Sequence, residues 1–306
     1  LPAYDALNNY SDKIHHVLVR HEQGATHMAD GYARSSGKVG VAMATSGPGA
    51  ANMVTGIATA MMDSSPIVCI TGQVPRAAIG SDAFQETDIA GTVIPVSKHS
   101  YLVMDIHNLA STIKEAFTVA RSGRPGPVLV DIPKDIQTEA IEFDYPLGPV
   151  TIPGNNIAQK AELNELEQAA TLIGKAKKPV ILAGHGILLS GASKEIVEMA
   201  EIANIPIGWT LLGSGAVPAS HPLNMGMMGM HGEFAVNNAI QKADLLIACG
   251  MRFDDRVTGN VKTYSPDSKK IHIEIDPAEI NKNVRVDVGI VGDLRVILQQ
   301  LIPLLR

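Results

Sequence analysis

Glu22 is the first residue of the chain whose type and position could do chemistry. It follows an apolar run over residues 14–19 and precedes a stretch of small residues that ends at Arg34. This pattern predicts a β-strand followed directly by a helix. Ligands of open α/β sheets collect where strands end, so a carboxylate there is a candidate catalytic acid or base. A solvent-facing glutamate in a strand–helix turn is the alternative that the local pattern leaves open.

The next apolar run, over residues 39–44, also ends in a turn that suits a ligand. The turn reads Thr45-Ser46-Gly47-Pro48-Gly49, and a helix is predicted over residues 50–62. Glycines in such a turn let backbone approach closely. Because parallel strands end at one edge of a sheet, we expect this turn on the same side as Glu22.

Further apolar runs complete two α/β units. In the first half they predict strands over residues 66–71 and 127–132, with an amphipathic helix over 108–121 between them. A polar loop over 82–88 and the basic Lys98 follow the first of these strands. In the second half, strands are predicted over 179–183, near 205, and over 243–249, 270–275 and 288–291.

The predicted fold class is α/β, with two doubly wound domains whose mainly parallel sheets are flanked by helices. Hydrophobic periodicity disappears after residue 133, where Pro, Gly and Asn accumulate. We therefore predict a first domain over residues 1–140, a linker over 141–158 and a second domain over 159–306.

Charged residues after strands of the second half suggest a nucleotide-like ligand. Arg252, Asp254 and Arg256 alternate after Gly250. Arginine suits phosphate, and a carboxylate at another strand end, Asp276 or Asp293, suits a ribose or adenine edge. Surface salt bridges are the open alternative. The turn at 184–186 could likewise be an ordinary βα turn, and the methionine-rich run over 225–230 could be core.

Composition excludes several classes of function. The 306 residues are 45% hydrophobic with a net charge of −6 and no basic stripe, which argues against nucleic-acid binding. No apolar run reaches the length of a membrane span. The two cysteines lie in apolar runs, as expected of reduced core thiols. There is no CxxC, HExxH or GxxxxGK[ST] motif, and no metal site is predicted here.

Five motifs occur in this order along the chain: Arg20-His21-Glu22-Gln23-Gly24-Ala25, Thr45-Ser46-Gly47-Pro48-Gly49, Asp82-Ala83-Phe84-Gln85-Glu86, Ser122-Gly123-Arg124-Pro125-Gly126-Pro127 and Arg252-Phe253-Asp254-Asp255-Arg256-Val257. Together they closely resemble the catalytic (large) subunits of the acetolactate synthase family, also called acetohydroxyacid synthases. The resemblance runs from the first residues to the last. It implies an enzyme that uses thiamine diphosphate, Mg²⁺ and FAD to decarboxylate pyruvate and join the remainder to a second 2-keto acid.

The resemblance implies a thiamine pocket in a pyrimidine-binding first domain. Glu22 matches the glutamate that hydrogen-bonds N1′ of the aminopyrimidine, a role for which we expect a desolvated carboxyl group with a raised pKa. Pro48, Asn52 and Gln85 match positions lining the pocket. Phe84 and Lys98 match the approach of the substrate.

The resemblance also implies that the second domain binds FAD, which performs no net redox in this family. The residues that match flavin contacts are Arg124, Gly184, His185, Gly186, Thr210, Leu211, Met230, His231, Gly232, Gly250, Arg252, Asp254, Arg256, Asp276 and Asp293.

The family pattern extends beyond both ends of this sequence. A first strand with a Pro-Gly-Gly turn should precede Leu1, and a third domain holding Mg²⁺ and the diphosphate should follow Arg306. We therefore expect this chain alone to be inactive. The resemblance implies a homodimer or dimer of dimers, a possible regulatory small subunit and a cytoplasmic location. Alternatives are a pyruvate oxidase-like thiamine-diphosphate/FAD enzyme, or an isolated FAD-binding or assembly module; Glu22 counts against glyoxylate carboligase.

Overall fold

A computed structural model describes residues 2–152 and 161–306. The chain divides into two compact units, Leu1–Asn155 and Asn156–Arg306. Each unit holds one parallel sheet with helices packed against it, so the predicted fold class is confirmed.

Ten strands lie in the described residues, and the carboxyl ends of each sheet's strands meet at one edge because all pairs are parallel. The first unit has the order β1-β2-β4-β3 and the second β10-β9-β8-β5-β6-β7. The strands are β1 (Gly40–Ala44), β2 (Ile67–Gln73), β3 (His99–Leu102), β4 (Val128–Pro133), β5 (Pro179–Ala183), β6 (Ile207–Trp209), β7 (Asn224–Met227), β8 (Leu245–Cys249), β9 (Lys269–Glu274) and β10 (Val288–Val291).

Twelve α-helices connect these strands within the described ranges. They are α1 (Pro2–Asn8), α2 (Glu22–Ser36), α3 (Pro48–Asn52), α4 (Val54–Asp63), α5 (Ile89–Thr92), α6 (Leu109–Arg121), α7 (Leu163–Lys175), α8 (His185–Leu189), α9 (Ser193–Ala203), α10 (Phe234–Gln241), α11 (Asp255–Thr258) and α12 (Leu294–Leu301). None of the described helices is long and apolar enough to cross a membrane.

The central strands are apolar on both faces because helices cover both. Strands β4 and β8 are buried at every position. Helix α12 shows the matching pattern, with Leu294, Ile297, Leu298 and Leu301 buried on one face. Both cysteines are buried and unpaired in the strands, as predicted.

The strand predicted over residues 14–19 is wrong. The segment belongs to no helix or strand, and Leu18 is 86% exposed. A strand needs a neighbour to take its backbone N–H and C=O groups. β1 is an edge strand of the first sheet, but the described residues show no ladder between it and this segment. Glu22 therefore follows an unpaired segment rather than a strand.

Three smaller differences have local causes. The helix predicted over 50–62 is two helices, because the N–H of Met53 bonds back to the carbonyl of Ala50. Strand β3 was missed because its side chains are only partly covered. Strand β7 was missed because its sequence, Asn-Met-Gly-Met, lacks β-branched residues.

The predicted linker is described only as far as residue 152. Residues 141–152 contain no helix or strand, and the remainder, 153–158, lies outside the described residues. The Lys114 ammonium on α6 donates hydrogen bonds to the carbonyls of Pro146 and Gly148. The start of the linker is thus fastened to the first unit. Its boundaries stay a prediction.

Candidate functional site

Glu22, at the start of α2, lies beside Asn52, at the end of α3. Glu22 is the first residue of α2, and the Nδ1 of His21 accepts the N–H of Gln23 at 3.1 Å to cap that helix. The Asn52 amide donates to Glu22 Oε2 at 3.0 Å. A Cβ at Gly49 would lie 3.3 Å from Glu22 Oε1. The same Cβ would come within 2.8 Å of Thr45 Cγ2, so glycine lets this turn pack directly against the carboxylate.

The expected rise in the pKa of Glu22 is wrong for this structure. The hydrogen bond from Asn52, followed by that from its own backbone N–H, lowers the pKa below the ordinary value. Burial opposes this shift, but too little of the carboxyl group is covered for burial to prevail. Glu22 is thus ionised at neutral pH and can accept a further hydrogen bond.

The loop that carries Phe84 and Gln85 lies against the turn at Gly47. Gly47 has φ = 65°, and a Cβ there would come within 2.7 Å of the Gln85 carbonyl oxygen. Gln85 itself has φ = 60°. The Glu86 carboxylate accepts the N–H of Ala83 at 2.9 Å and closes the loop. Phe84 is 90% exposed. The structure therefore places Gln85, Pro48, Asn52 and Glu22 on adjoining segments.

A buried polar cluster beneath this loop escaped prediction from the sequence. Asp131 on β4 is 1% exposed and accepts hydrogen bonds from Thr71 Oγ1 at 2.8 Å and Gln73 Nε2 at 2.9 Å. The same Gln73 nitrogen donates to the Thr87 carbonyl at 2.7 Å. Burial raises the pKa of Asp131 to about 6. The one feature of the sequence that could have indicated this cluster is a single carboxylate, Asp131, inside the apolar run 127–132.

A cavity of about 190 Å³ opens beside this cluster at the carboxyl ends of β1, β2 and β4. Its polar lining includes Tyr4, Ser46, Gln73, Lys134 and Gln137. The pKa of Tyr4 is raised by burial and by the nearby charge of Glu22. The edge predicted to collect ligands is therefore concave in this unit.

Lys98 directly precedes β3, and Arg124 lies in the connection between α6 and β4. The Lys98 ammonium donates to the Val119 carbonyl at 2.6 Å and to the Ser122 hydroxyl at 3.2 Å, at the carboxyl end of α6. Cations are favoured there because the helix dipole is negative. Arg124 Nε donates to Ser64 Oγ at 2.9 Å. The substrate role of Lys98 and the flavin role of Arg124 stay predictions.

In the second unit, glycines bring the ends of β5 and β8 into backbone contact. Gly186 N–H donates to Gly250 O at 3.0 Å, and Gly250 has φ = 62°. A Cβ at Gly184 would lie 2.1 Å from Gly250 O, and one at Gly186 would lie 2.6 Å from Gly250 Cα. His185, between the two, begins α8. The backbone of this turn packs so closely against Gly250 that a side chain at Gly184 or Gly186 would overlap it.

We expect Gly186→Ala to lower the free energy of unfolding of this unit by about 1–3 kcal/mol, because backbone must move to admit the methyl group. Gly174→Ala in α7 is the matched control, since nothing lies within 4 Å of its added Cβ. That change should stabilise by up to about 1 kcal/mol. Urea unfolding followed by fluorescence of Trp209, next to β5, measures both. Equal midpoints for Gly186→Ala and wild type would contradict the packing described.

The segments after β6 and β7 complete this edge of the second sheet. Thr210 N–H donates to Ala183 O at 3.0 Å, which ties the end of β6 to β5, and Leu211 is exposed. Met230 and His231 are also exposed. A Cβ at Gly232 would lie 2.4 Å from the backbone of Met228, so the chain can turn there only with glycine.

The charged residues after β8 to β10 serve largely as helix caps. Asp254 Oδ1 accepts the N–H groups of Arg256 and Val257 at 3.1 and 3.2 Å. Asp276 and Asp293 cap in the same way, accepting the N–H of Ala278 and of Val296, each at 3.0 Å.

The arginines of this segment differ in their pairing. Arg252 Nη2 lies 3.6 Å from Asp254 Oδ2, which fits the salt-bridge alternative. Arg256 is mostly exposed, and its Nε lies 3.9 Å from Asp255 Oδ2, which is a longer contact than that of Arg252. The predicted flavin contacts of this unit thus occupy one sheet edge, and their role stays a prediction. No group of three or more His, Cys, Asp or Glu in the described residues is arranged to hold a metal ion.

Comparison with known proteins places both units in one family. Residues 1–92 match the thiamine pyrophosphate enzyme N-terminal TPP binding domain, and residues 166–301 match the thiamine pyrophosphate enzyme central domain. The chain belongs to the thiamine pyrophosphate enzyme family. The first unit, with Glu22 and Asn52, is its TPP-binding domain, and the second is its central domain.

Within the thiamine pyrophosphate enzymes, the similar proteins are acetolactate synthases. The chain is 50% identical to a probable acetolactate synthase large subunit of Methanocaldococcus jannaschii, over all of this chain and 52% of that protein. It is 52% identical to the acetolactate synthase large subunit of Corynebacterium glutamicum, over 99% of this chain and 48% of that protein. It is 50% identical to an acetolactate synthase of Arthrospira platensis, over 97% and 52% respectively. The chain spans about half the length of the curated relatives it matches.

Proposed function

We propose that the full-length protein is an acetolactate synthase, which decarboxylates pyruvate and joins the remainder to a second 2-keto acid. The products would be 2-acetolactate or 2-aceto-2-hydroxybutyrate, intermediates toward branched-chain amino acids. The observation that carries this proposal is the contact of Glu22 with Asn52 beside Gly49, in a chain about half identical to acetolactate synthases.

Glu22 would hold thiamine diphosphate by hydrogen-bonding N1′ of its aminopyrimidine. The cofactor, when bound, supplies an acidic carbon that attacks the keto group and stabilises the negative charge left after CO₂ departs. Asn52 would orient the Glu22 carboxylate, and the absence of a side chain at Gly49 lets the turn pack against that carboxylate. Pro48 and Gln85 would line the same pocket, with Phe84 and Lys98 on the substrate side.

FAD would lie along the carboxyl edge of the second sheet in a structural role. The observation that supports the fit is the close backbone packing of Gly184 and Gly186 against Gly250, which keeps the ends of β5 and β8 free of side chains at this edge. The exposed Arg256 could pair with phosphate. The central-domain flavin residues predicted from the sequence would provide the remaining contacts.

The remaining parts of the proposal concern the whole protein. Mg²⁺ and the cofactor diphosphate would be held outside this chain. Assembly would be a homodimer or a dimer of dimers, with a regulatory small subunit as a further possible partner, in the cytoplasm. Two relatives are named as large subunits, which supports a small subunit as a partner.

Product analysis tests the proposal. Full-length protein supplied with thiamine diphosphate, Mg²⁺, FAD and pyruvate should form 2-acetolactate and CO₂ without consuming an oxidant. Acetyl phosphate formed with phosphate and oxygen would instead identify a pyruvate oxidase. The 306-residue chain should bind FAD yet leave pyruvate unchanged, and pyruvate turnover by this chain would contradict the assignment of the diphosphate site elsewhere.

A further inference from the structure

Asn237 on α10 binds both backbone groups of Gly229. Its Oδ1 accepts the Gly229 N–H at 2.9 Å, and its Nδ2 donates to the Gly229 carbonyl at 2.9 Å. The Asn237 amide thus makes the two hydrogen bonds that the backbone of a neighbouring strand would otherwise make to Gly229. Gly229 belongs to the segment 225–232, which we call the methionine loop.

The methionine loop has little freedom of its own between its glycines. Gly226 and Gly229 have φ of 106° and 95°, conformations that other residues rarely adopt. A Cβ at Gly229 would lie 2.6 Å from the Arg256 carbonyl. On the other side of the glycine, Met230 N–H donates to that same carbonyl at 2.7 Å. The loop is therefore clamped between α10 and residue 256.

This clamp joins two segments that are distant in sequence. Met230 follows β7 and Arg256 follows β8, and Arg256 Nη1 lies 3.4 Å from Met230 Sδ. A ligand that touched both side chains would need the two segments in one fixed arrangement. Hydrogen bonds between Asn237 and Gly229 and from Met230 N–H to the Arg256 carbonyl hold the two segments in that arrangement.

We propose that Asn237 is a positioning residue for flavin, holding the methionine loop in the conformation that presents Met230 beside Arg256. This role rests on the proposed binding of FAD by the central domain. Without Asn237, the Gly229 N–H loses its acceptor and the Gly229 carbonyl keeps only the Gly232 N–H at 2.9 Å, so the loop gains alternative conformations. Binding would then bear the cost of ordering the loop, which lowers affinity without removing a ligand contact.

The test titrates the 306-residue chain with FAD and follows flavin fluorescence. Asn237→Ala should raise the Kd about tenfold, the effect of roughly one to two lost hydrogen bonds. The matched control is Asn238→Ala, one residue further along α10, which changes helix propensity equally and should leave the Kd within twofold. Thermal unfolding of each variant shows whether the unit remains folded.

Hydrogen exchange supplies a readout that a general loss of stability would not give. In wild type, FAD should add little protection to amides 228–232, because the loop is already ordered. In Asn237→Ala these amides should exchange faster when free and regain protection at saturating FAD, while β8 amides change little.

The outcomes separate this role from the proposed function. A wild-type chain that does not bind FAD overturns the flavin site and this role together. Tight binding by wild type and equal binding by Asn237→Ala overturns the role of Asn237 alone. Weaker binding with uniform loss of protection throughout the unit assigns Asn237 to stability and also overturns it.

Discussion

Glu22→Gln should slow proton exchange at the thiazolium C2 of bound thiamine diphosphate by about 10²- to 10⁴-fold in the full-length protein, and pyruvate decarboxylation should slow with it. This is the range in which a positioned acid or base contributes to a rate. Glutamine preserves the shape of the side chain, and its carbonyl can still accept the hydrogen bond from Asn52. What the variant loses is the ability to exchange a proton with the cofactor.

Exchange of the C2 proton for deuterium, followed by quenched-flow NMR, measures the effect directly. Glu167→Gln on the exposed surface of α7 is the control and should exchange at the wild-type rate. Cofactor affinity, titrated in parallel, separates binding from proton transfer. Unchanged exchange in Glu22→Gln at full cofactor occupancy would remove Glu22 from the mechanism.

The state of Glu22 in this chain bears on how it would act. Its pKa is lowered because Asn52 and the helix backbone stabilise the charged carboxylate and solvent reaches it. A carboxyl group that must share a proton works best when it is desolvated. Covering by the bound cofactor, or by another part of the assembly, would supply that desolvation. The residue was identified from its motif, but its pKa depends on surroundings that the motif does not specify.

Sequence patterns were reliable where local chemistry decides the structure. Continuous apolar runs identified β2, β4, β5 and β8 because strands covered on both faces need apolar residues at every position. Gly47 and Gly250 occur in turns noted from the sequence, and their φ values of 65° and 62° are ones that residues with a Cβ rarely adopt. The segment 14–19 failed for the opposite reason, since its pattern is that of a strand but pairing depends on a neighbour.

The interactions that were not predicted depend on how the chain folds and not on the spacing of residues in the sequence. Asp131 lies 60 residues from Thr71 and 58 from Gln73, and only the register of β2 with β4 brings them together. Asn237 reads as an ordinary polar residue on a helix until the fold places Gly229 against it. No spacing rule connects such pairs, so the supporting contacts of both units became visible only in three dimensions.

The two units share one arrangement at the carboxyl edges of their sheets. In each, glycines remove side chains from the carboxyl edge, and a buried or half-buried polar side chain fixes the loop that carries exposed residues. Gln73 holds the Phe84 loop through Thr87, and Asn237 holds the methionine loop through Gly229. Exposed side chains such as Phe84 and Met230 are then available for contact while their backbones are fixed.

Asp131 allows the energetics of such a support to be measured. Asp131→Ala should unfold the first unit more easily than Asp131→Asn by about 2–5 kcal/mol, because alanine leaves the Thr71 hydroxyl and the Gln73 amide buried without their acceptor and opens a small cavity. Asparagine retains an oxygen for Gln73 and can donate to the Thr71 hydroxyl. Since Trp209, the only tryptophan, lies in the other unit, hydrogen exchange of peptides from β2 and β4 is the measurement.

The pH dependence of the same comparison follows from the pKa of Asp131. Burial raises it to about 6, so between the unfolded value near 4 and that pH the folded state binds more protons than the unfolded state. Stability contributed by this group is therefore present at low pH and is lost as pH rises through about 6. Wild type should lose on the order of 2 kcal/mol relative to Asp131→Asn across this window, and at pH 7.5 the asparagine variant should be at least as stable. A difference between the two proteins that stayed constant from pH 4 to 7.5 would show that burial does not shift Asp131. In Asp131→Ala, the amides of the loop at 80–88 should exchange faster than in wild type, because Gln73 joins the Asp131 carboxylate to Thr87.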